Sequence, residues 1–189
     1  MATVRGYRWP RTTGAGFQLT TTPHRILTRS SSASLRLEPE RAAGEVDGFS
    51  PAALESRISL KVSIPDHRAM AMLDVDRCSQ VVANLVENGL CYARSRLHVQ
   101  LTDDVGGIEL RVHDDGPGVP ADDLPHVFEW LYASKHRPDD RESGSGLGLV
   151  IVREIVHAMG GSVWAESAPG SGAALIVRIP RTWASAGEE

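Results

Sequence analysis

Apolar and polar residues alternate in five short segments of the chain, and two longer segments between them have apolar residues at helical spacing. Alternation of this kind is typical of strands that bury one face. The alternating segments begin at residues 58, 97, 108, 163 and 174. The helical spacing extends through residues 78–90 and 147–159. Together these patterns predict an α+β fold, in which helices cover one face of a mixed β-sheet in a two-layer sandwich.

Length and composition limit the class of protein. A chain of 189 residues is long enough to bury one hydrophobic core without a disulfide or a structural metal. Cys78 and Cys91 are its two cysteines, which excludes a disulfide scaffold and is typical of a reducing compartment. No run of 18 apolar residues occurs, so we expect a cytoplasmic protein without membrane insertion.

The first 36 residues differ from the rest, because they contain arginine, serine and threonine but no Asp or Glu. They have no sustained strand or helix period, which favours a disordered leader. A transit peptide and a nucleic-acid-binding arm are the alternatives, and the lack of interleaved aromatic residues argues against nucleic acid as a partner. We therefore expect a poorly structured extension over 1–50, a folded domain over 51–182 and a tail over 183–189.

Two segments contain polar groups suited to a nucleotide. Asn84 and Asn88 are four residues apart, so they share a helix face, and amide oxygens are ligands that Mg²⁺ accepts. Two solvated asparagines are the alternative. The segment Asp115-Gly116-Pro117-Gly118 follows a predicted strand, where a fixed carboxylate could accept hydrogen bonds from an exocyclic amine and glycines allow close approach of a flat ligand. A plain turn is the alternative there.

A third segment, Gly144-Ser145-Gly146-Leu147-Gly148-Leu149, comes directly before the second predicted helix. Backbone amides at a helix N-terminus, exposed by glycines, can bind phosphate. The segment is neither a Walker A loop nor a GxGxxG motif, because it has no lysine after a glycine and Leu149 stands where the last glycine would be. A flexible linker is the alternative, although the apolar helix that follows makes a phosphate site the better interpretation.

The three segments in this order resemble the N, G1 and G2 boxes of the GHKL, or Bergerat, ATP-binding fold in the form found in sensor histidine kinases. The resemblance extends from about Leu54 to Pro180 and includes Gln80 and an F box at Val127-Phe128-Glu129. Gyrase-like, Hsp90-like and anti-sigma-factor members typically have a catalytic Glu where this chain has Asn84. An amide cannot take a proton from water, so the resemblance favours the kinase type.

The resemblance implies ATP and Mg²⁺ as cofactors. Asp115 would bind the adenine amine, Gly116 and Gly118 would shape the adenine pocket, and Asn88 would coordinate Mg²⁺ with Asn84 nearby. Residues 129–145 would form a lid over the nucleotide. Further binding residues implied by the resemblance are Tyr92, Lys135, Gly144, Gly146, Leu147 and Gly148.

The chain departs from the family pattern at three positions. The family usually has Lys or Arg where this chain has Cys91, Arg where it has Ala133, and Thr where it has Ala173. It also lacks a convincing acceptor histidine, because the segment around His24 has Arg in place of both Glu and Pro of the usual motif. We therefore expect a stand-alone, split or truncated kinase without a dimerisation and phosphoacceptor domain. It would transfer the γ-phosphate of ATP to a histidine on a partner chain, which in turn serves a response regulator. A weakened ATP-binding module that acts by partner binding and an anti-sigma-factor-type serine kinase are the alternatives.

Overall fold

The computed structural model describes residues 35–37, 44, 46–65, 69–129, 147–168 and 170–181. The strands are β1 Leu35–Leu37, β2 Ser59–Ser63, β3 Ala69–Leu73, β4 Arg96–Asp104, β5 Gly107–Asp114, β6 Ser162–Ser167 and β7 Ala173–Ile179. The helices are α1 Ser50–Glu55, α2 Val75–Tyr92 and α3 Gly148–Ala158, and a 3₁₀ turn spans Leu124–His126.

Five strands form one mixed sheet in the order β2-β4-β5-β7-β6, in which β2 pairs parallel to β4 and the other neighbours are antiparallel. In β4, Leu97, Val99 and Leu101 are buried and alternate with more exposed residues, because one face of the sheet packs on the helices. Val99, Val112 and Leu175, for example, are cross-strand neighbours in register, and all three are buried. The predicted α+β sandwich with a mixed sheet is confirmed.

Helices α2 and α3 contact each other and cover the inner face of the sheet. Asp74 is the N-cap of α2 and accepts a hydrogen bond from the Arg77 backbone N–H at 3.2 Å. Leu85 and Val86 are fully buried on α2, and Val152 is fully buried on α3. The predicted helices are thus present, with their apolar faces towards the sheet.

The structure also contains elements that the sequence did not predict. Strand β1 pairs antiparallel with β3, and Val46 is only 2% exposed within the core. Strand β1 and Val46 fall within the predicted extension 1–50, and the boundary at residue 51 stays a prediction. A three-residue strand is too short to show a period, and β3 consists of apolar residues without alternation. The extension before residue 35 and the tail after residue 182 lie outside the described residues, so both stay predictions.

No helix in the described ranges has the length and apolar character needed to cross a bilayer.

Candidate functional site

Asp114 is a buried carboxylate at the end of β5, with 5% of its surface exposed. Its Oδ1 accepts a hydrogen bond of 2.7 Å from the Gly116 backbone N–H, and the Ala173 backbone N–H also donates to the carboxylate. Burial raises the pKa of Asp114, while the hydrogen bonds from Gly116 and Ala173 act in the opposite direction. A carboxylate oxygen has several acceptor positions, so this group can accept a further hydrogen bond from a ligand.

Asp115 binds a different part of the chain. Its Oδ1 accepts backbone N–H groups of Arg94, Ser95 and Arg96, each at 2.9 Å. Its Oδ2 accepts the Ser95 hydroxyl at 2.6 Å and lies 3.4 Å from the Arg96 Nε. Partial burial raises the pKa of Asp115, but the hydrogen bonds from Ser95, Arg96 and Arg94 outweigh it and hold the pKa well below its usual range. Asp115 therefore fixes the loop between α2 and β4.

These contacts bear on the predicted role of Asp115 towards the adenine amine, which stays a prediction. The Asp115 oxygens already accept hydrogen bonds from residues 94–96, whereas the buried carboxylate beside the glycines is that of Asp114. The signal was present in the sequence, because the pattern D-x-G-x-G places its Asp two residues before Gly116. The prediction started from Asp115 and therefore did not include Asp114.

Gly116 and Gly118 lie where the backbone leaves no room for a side chain. A Cβ at Gly116 would lie 2.6 Å from Oδ1 of Asp114 and would overlap the carbonyl oxygen of Tyr92. A Cβ at Gly118 would lie 2.7 Å from the carbonyl oxygen of Ala168. Only glycine fits at either position, since real Cβ contacts this short do not occur. The structure thus brings Gly116, Gly118 and Asp114 together and places the Tyr92 backbone beside them.

Asn84 of α2 lies near the start of α3. The Asn84 Nδ2 is buried and has no hydrogen-bond partner among the residues that the structure describes. A Cβ at Gly148 would lie 3.1 Å from the Asn84 Oδ1, so the glycine lets the first turn of α3 approach α2. Leu147 is the N-cap of α3 and supplies no side-chain capping hydrogen bond. Asn88 follows one helical turn after Asn84 and is half-buried.

Other predicted binding residues are outside the described ranges: Lys135, Gly144 and Gly146, together with Ala133 of the lid. Ala173, which replaces the usual Thr, is buried and contributes its backbone N–H to Asp114. Cys91 is half-buried on α2. Within the described ranges, no group of three or more His, Cys, Asp or Glu side chains could hold a metal ion.

The sequence matches proteins of known family. The family profile described as "Histidine kinase-, DNA gyrase B-, and HSP90-like ATPase" matches residues 73–182. Signal transduction histidine-protein kinase AfsQ2 of Streptomyces coelicolor is 45% identical over 112 residues, which is 59% of this chain and 21% of that protein. Adaptive-response sensory kinase SasA of Parasynechococcus marenigrum is 31% identical over 170 residues, which is 88% of this chain and 41% of that protein. This chain thus spans less than half the length of either relative.

Solved structures have the same fold. Full-length ShkA in complex with AMPPNP matches with a TM-score of 0.69 and 25% identity, over 84% of this chain and 33% of that one. The catalytic domain of histidine kinase ThkA matches with a TM-score of 0.64 and 24% identity, over 76% of this chain and 91% of that domain. These matches confirm the resemblance to histidine kinase catalytic domains, and the chain belongs to the family of histidine kinase-, DNA gyrase B- and HSP90-like ATPases.

Proposed function

We propose that this chain is the ATP-binding catalytic part of a two-component sensor histidine kinase. In this proposal it transfers the γ-phosphoryl group of ATP to a histidine on a partner chain or a separate hairpin domain. The observation that supports it most directly is the buried Asp114 carboxylate beside Gly116, in a chain of this ATPase family.

In this proposal, Asp114 accepts a hydrogen bond from the exocyclic amine of adenine. Its low exposure strengthens such a hydrogen bond, because water competes little for a buried acceptor. Gly116 and Gly118 leave the backbone bare, so a flat base can approach it closely. Guanine has a carbonyl oxygen where adenine has the amine, and two acceptors would then face each other. The site as proposed therefore prefers ATP to GTP.

The other end of the proposed site binds the phosphates. The buried Asn84 Nδ2 is a donor without a described partner, and leaving such a group unsatisfied costs about 1–3 kcal/mol. A phosphate oxygen is an acceptor that would remove this cost. The N–H groups of the first turn of α3, from Gly148 onward, lack partners within the helix and suit an anion. Gly144 and Gly146 stay in the proposal as residues whose backbone amides meet the phosphates, and Lys135 stays as a binding residue of the lid.

The residues present also fit a magnesium ion. Asn88 offers an amide oxygen one helical turn from Asn84, and Mg²⁺ takes few protein ligands together with phosphate oxygens and water. Bound Mg²⁺ would neutralise phosphate charge during phosphoryl transfer. The chain itself would act mainly by positioning, because Asn84 cannot serve as a base. That suits a histidine acceptor, whose imidazole is already nucleophilic.

The acceptor histidine belongs to a partner in this proposal, and the response regulator receives the phosphoryl group from that partner. Of the described histidines, His98 and His113 are on strands of the sheet, His126 is in the 3₁₀ turn, and His157 is near the end of α3. His24 lies outside the described residues. The cysteine content is consistent with action in the cytoplasm.

The test is a transfer assay with the full chain, γ-labelled ATP, Mg²⁺ and a separate histidine-bearing hairpin of a sensor kinase. We expect acid-labile label on the hairpin, and none on the same hairpin without its acceptor histidine. No label on the hairpin would contradict the kinase proposal.

A second candidate is an ATP-binding module without transfer activity, which acts by binding a partner. Cys91 favours it, because a cysteine offers no positive charge to a phosphate where the family usually has Lys or Arg. Titration with a fluorescent ATP analogue separates the cases. Mg²⁺-dependent binding without transfer to the hairpin would favour the module, and acid-stable label on serine would favour a serine kinase.

A further inference from the structure

Ser167, the last residue of β6, joins two loops through one hydroxyl group. Its Oγ accepts a hydrogen bond from the Val119 backbone N–H at 2.7 Å and donates one to the Gly172 carbonyl oxygen, also at 2.7 Å. Val119 belongs to the loop after β5, and Gly172 belongs to the turn between β6 and β7. The hydroxyl is therefore used both as a donor and as an acceptor.

The two loops that Ser167 joins also contribute the hydrogen-bond donors to Asp114. The first loop, residues 115–119, contains Gly116, whose N–H binds the Asp114 carboxylate. The turn, residues 168–172, leads directly into Ala173, whose N–H binds the same carboxylate. A further hydrogen bond, from the Gly170 N–H to the Pro117 carbonyl oxygen at 2.9 Å, holds the turn on the first loop.

The contact between these loops has no spare room. A Cβ at Gly118 would lie 2.9 Å from the Ser167 Oγ, and a Cβ at Gly172 would overlap the carbonyl oxygen of Asp114. A change in the spacing of the two loops would therefore move the backbone groups that surround the Asp114 carboxylate. Among the described residues of the two loops, the hydrogen bonds made by Ser167 are the ones that depend on a side chain outside the proposed adenine site.

We propose that Ser167 is a positioning residue for nucleotide binding, which holds the β6–β7 turn against residues 115–119 and so fixes the spacing around Asp114. This role rests on the proposed function. Alanine can neither donate nor accept at this position, whereas threonine retains a hydroxyl that does both. Ser162, at the exposed start of the same strand, offers a matched control.

The experiment compares Ser167→Ala, Ser167→Thr and Ser162→Ala with the wild-type chain. Fluorescence titration gives the Kd for ATP and for ADP, at a temperature well below the thermal midpoint of every variant. We expect Ser167→Ala to weaken the binding of ATP and of ADP by the same factor, about 5- to 10-fold. The factor is the same because the affected contacts are at the adenine end, which both nucleotides share. Ser167→Thr should retain affinity within about twofold, and Ser162→Ala should match the wild type.

Amide hydrogen exchange of the ligand-free protein supplies a second readout. We expect faster exchange at Val119 and Ala173 in Ser167→Ala, because the turn is no longer held on the first loop. A lower thermal midpoint of Ser167→Ala with unchanged Kd values would show that Ser167 only stabilises the fold. That result would overturn the positioning role and leave the proposed function standing. A wild-type chain that binds no nucleotide would instead contradict the proposed function, and the positioning role with it.

Discussion

The adjacent carboxylates of Asp114 and Asp115 bind different parts of the chain. The buried Asp114 accepts the Gly116 N–H at 2.7 Å, whereas Asp115 accepts three N–H groups from the loop between α2 and β4. One carboxylate can therefore serve a ligand while the other maintains the backbone beside it.

Replacing Asp115 by alanine should destabilise the domain. The change leaves the N–H groups of Arg94, Ser95 and Arg96 without their acceptor, and we expect a loss of about 1–3 kcal/mol in the free energy of unfolding. Urea denaturation measures it, with Asp122→Ala, at an exposed position, as the control. A urea midpoint equal to that of the control would show that these contacts contribute nothing to the free energy of unfolding.

The two carboxylates should also affect stability with opposite pH dependence. The pKa of Asp115 is lowered by folding, so its contribution is complete above the unfolded value of about 3.9 and declines as the pH falls below it. The pKa of Asp114 is raised, so its ionised form costs stability at neutral pH, and this cost disappears on acidification. Unfolding of Asp114→Asn and Asp115→Asn between pH 3.5 and pH 7, values chosen to bracket about 3.9, measures both effects. The same pH slope for both variants would contradict the assignment.

Alanine substitutions at two glycines of the β6–β7 turn distinguish the cost of backbone strain from the cost of steric overlap. Gly170 and Gly172 both have positive φ, 79° and 84°, but a Cβ at Gly170 meets nothing within 4 Å, whereas one at Gly172 overlaps the Asp114 carbonyl. We expect Gly170→Ala to cost about 1–2 kcal/mol and Gly172→Ala about 2–5 kcal/mol. Gly172→Ala should also weaken nucleotide binding. Equal stability losses would indicate that the contact with Asp114 is readily relieved.

Gly148→Ala should lower nucleotide affinity without lowering the thermal stability of the domain. Alanine is favoured over glycine within a helix by up to about 1 kcal/mol, so we expect no loss of thermal stability. Its Cβ would press on the Asn84 side chain, and we therefore expect nucleotide affinity to fall by about tenfold or more. Thermal melting and fluorescence titration measure the two effects. Affinity equal to the wild type would exclude a role for this contact in binding.

The sequence predicted the five-stranded sheet and helices α2 and α3, because apolar residues in these segments alternate or recur at helical spacing and so show a clear period. Strands β1 and β3 have no such period, and their pairing depends on contacts between distant segments. The role of Asp115 was equally hidden, because the N–H groups that bind its carboxylate are about twenty residues away in the sequence. Ser167 gives no local signal either, since one of its partners is 48 residues distant.

The most direct test of the site compares the nucleotide affinity of Asp114→Asn with that of Asp115→Asn. Both changes remove one negative charge, from adjacent positions, and leave the size of the side chain nearly unchanged. Titration with a fluorescent ATP analogue, at a temperature where both variants are folded, gives the two Kd values. We expect Asp114→Asn to weaken binding at least about tenfold and Asp115→Asn to lower stability while retaining affinity within about twofold. The reverse order, with affinity lost in Asp115→Asn and retained in Asp114→Asn, would contradict the account.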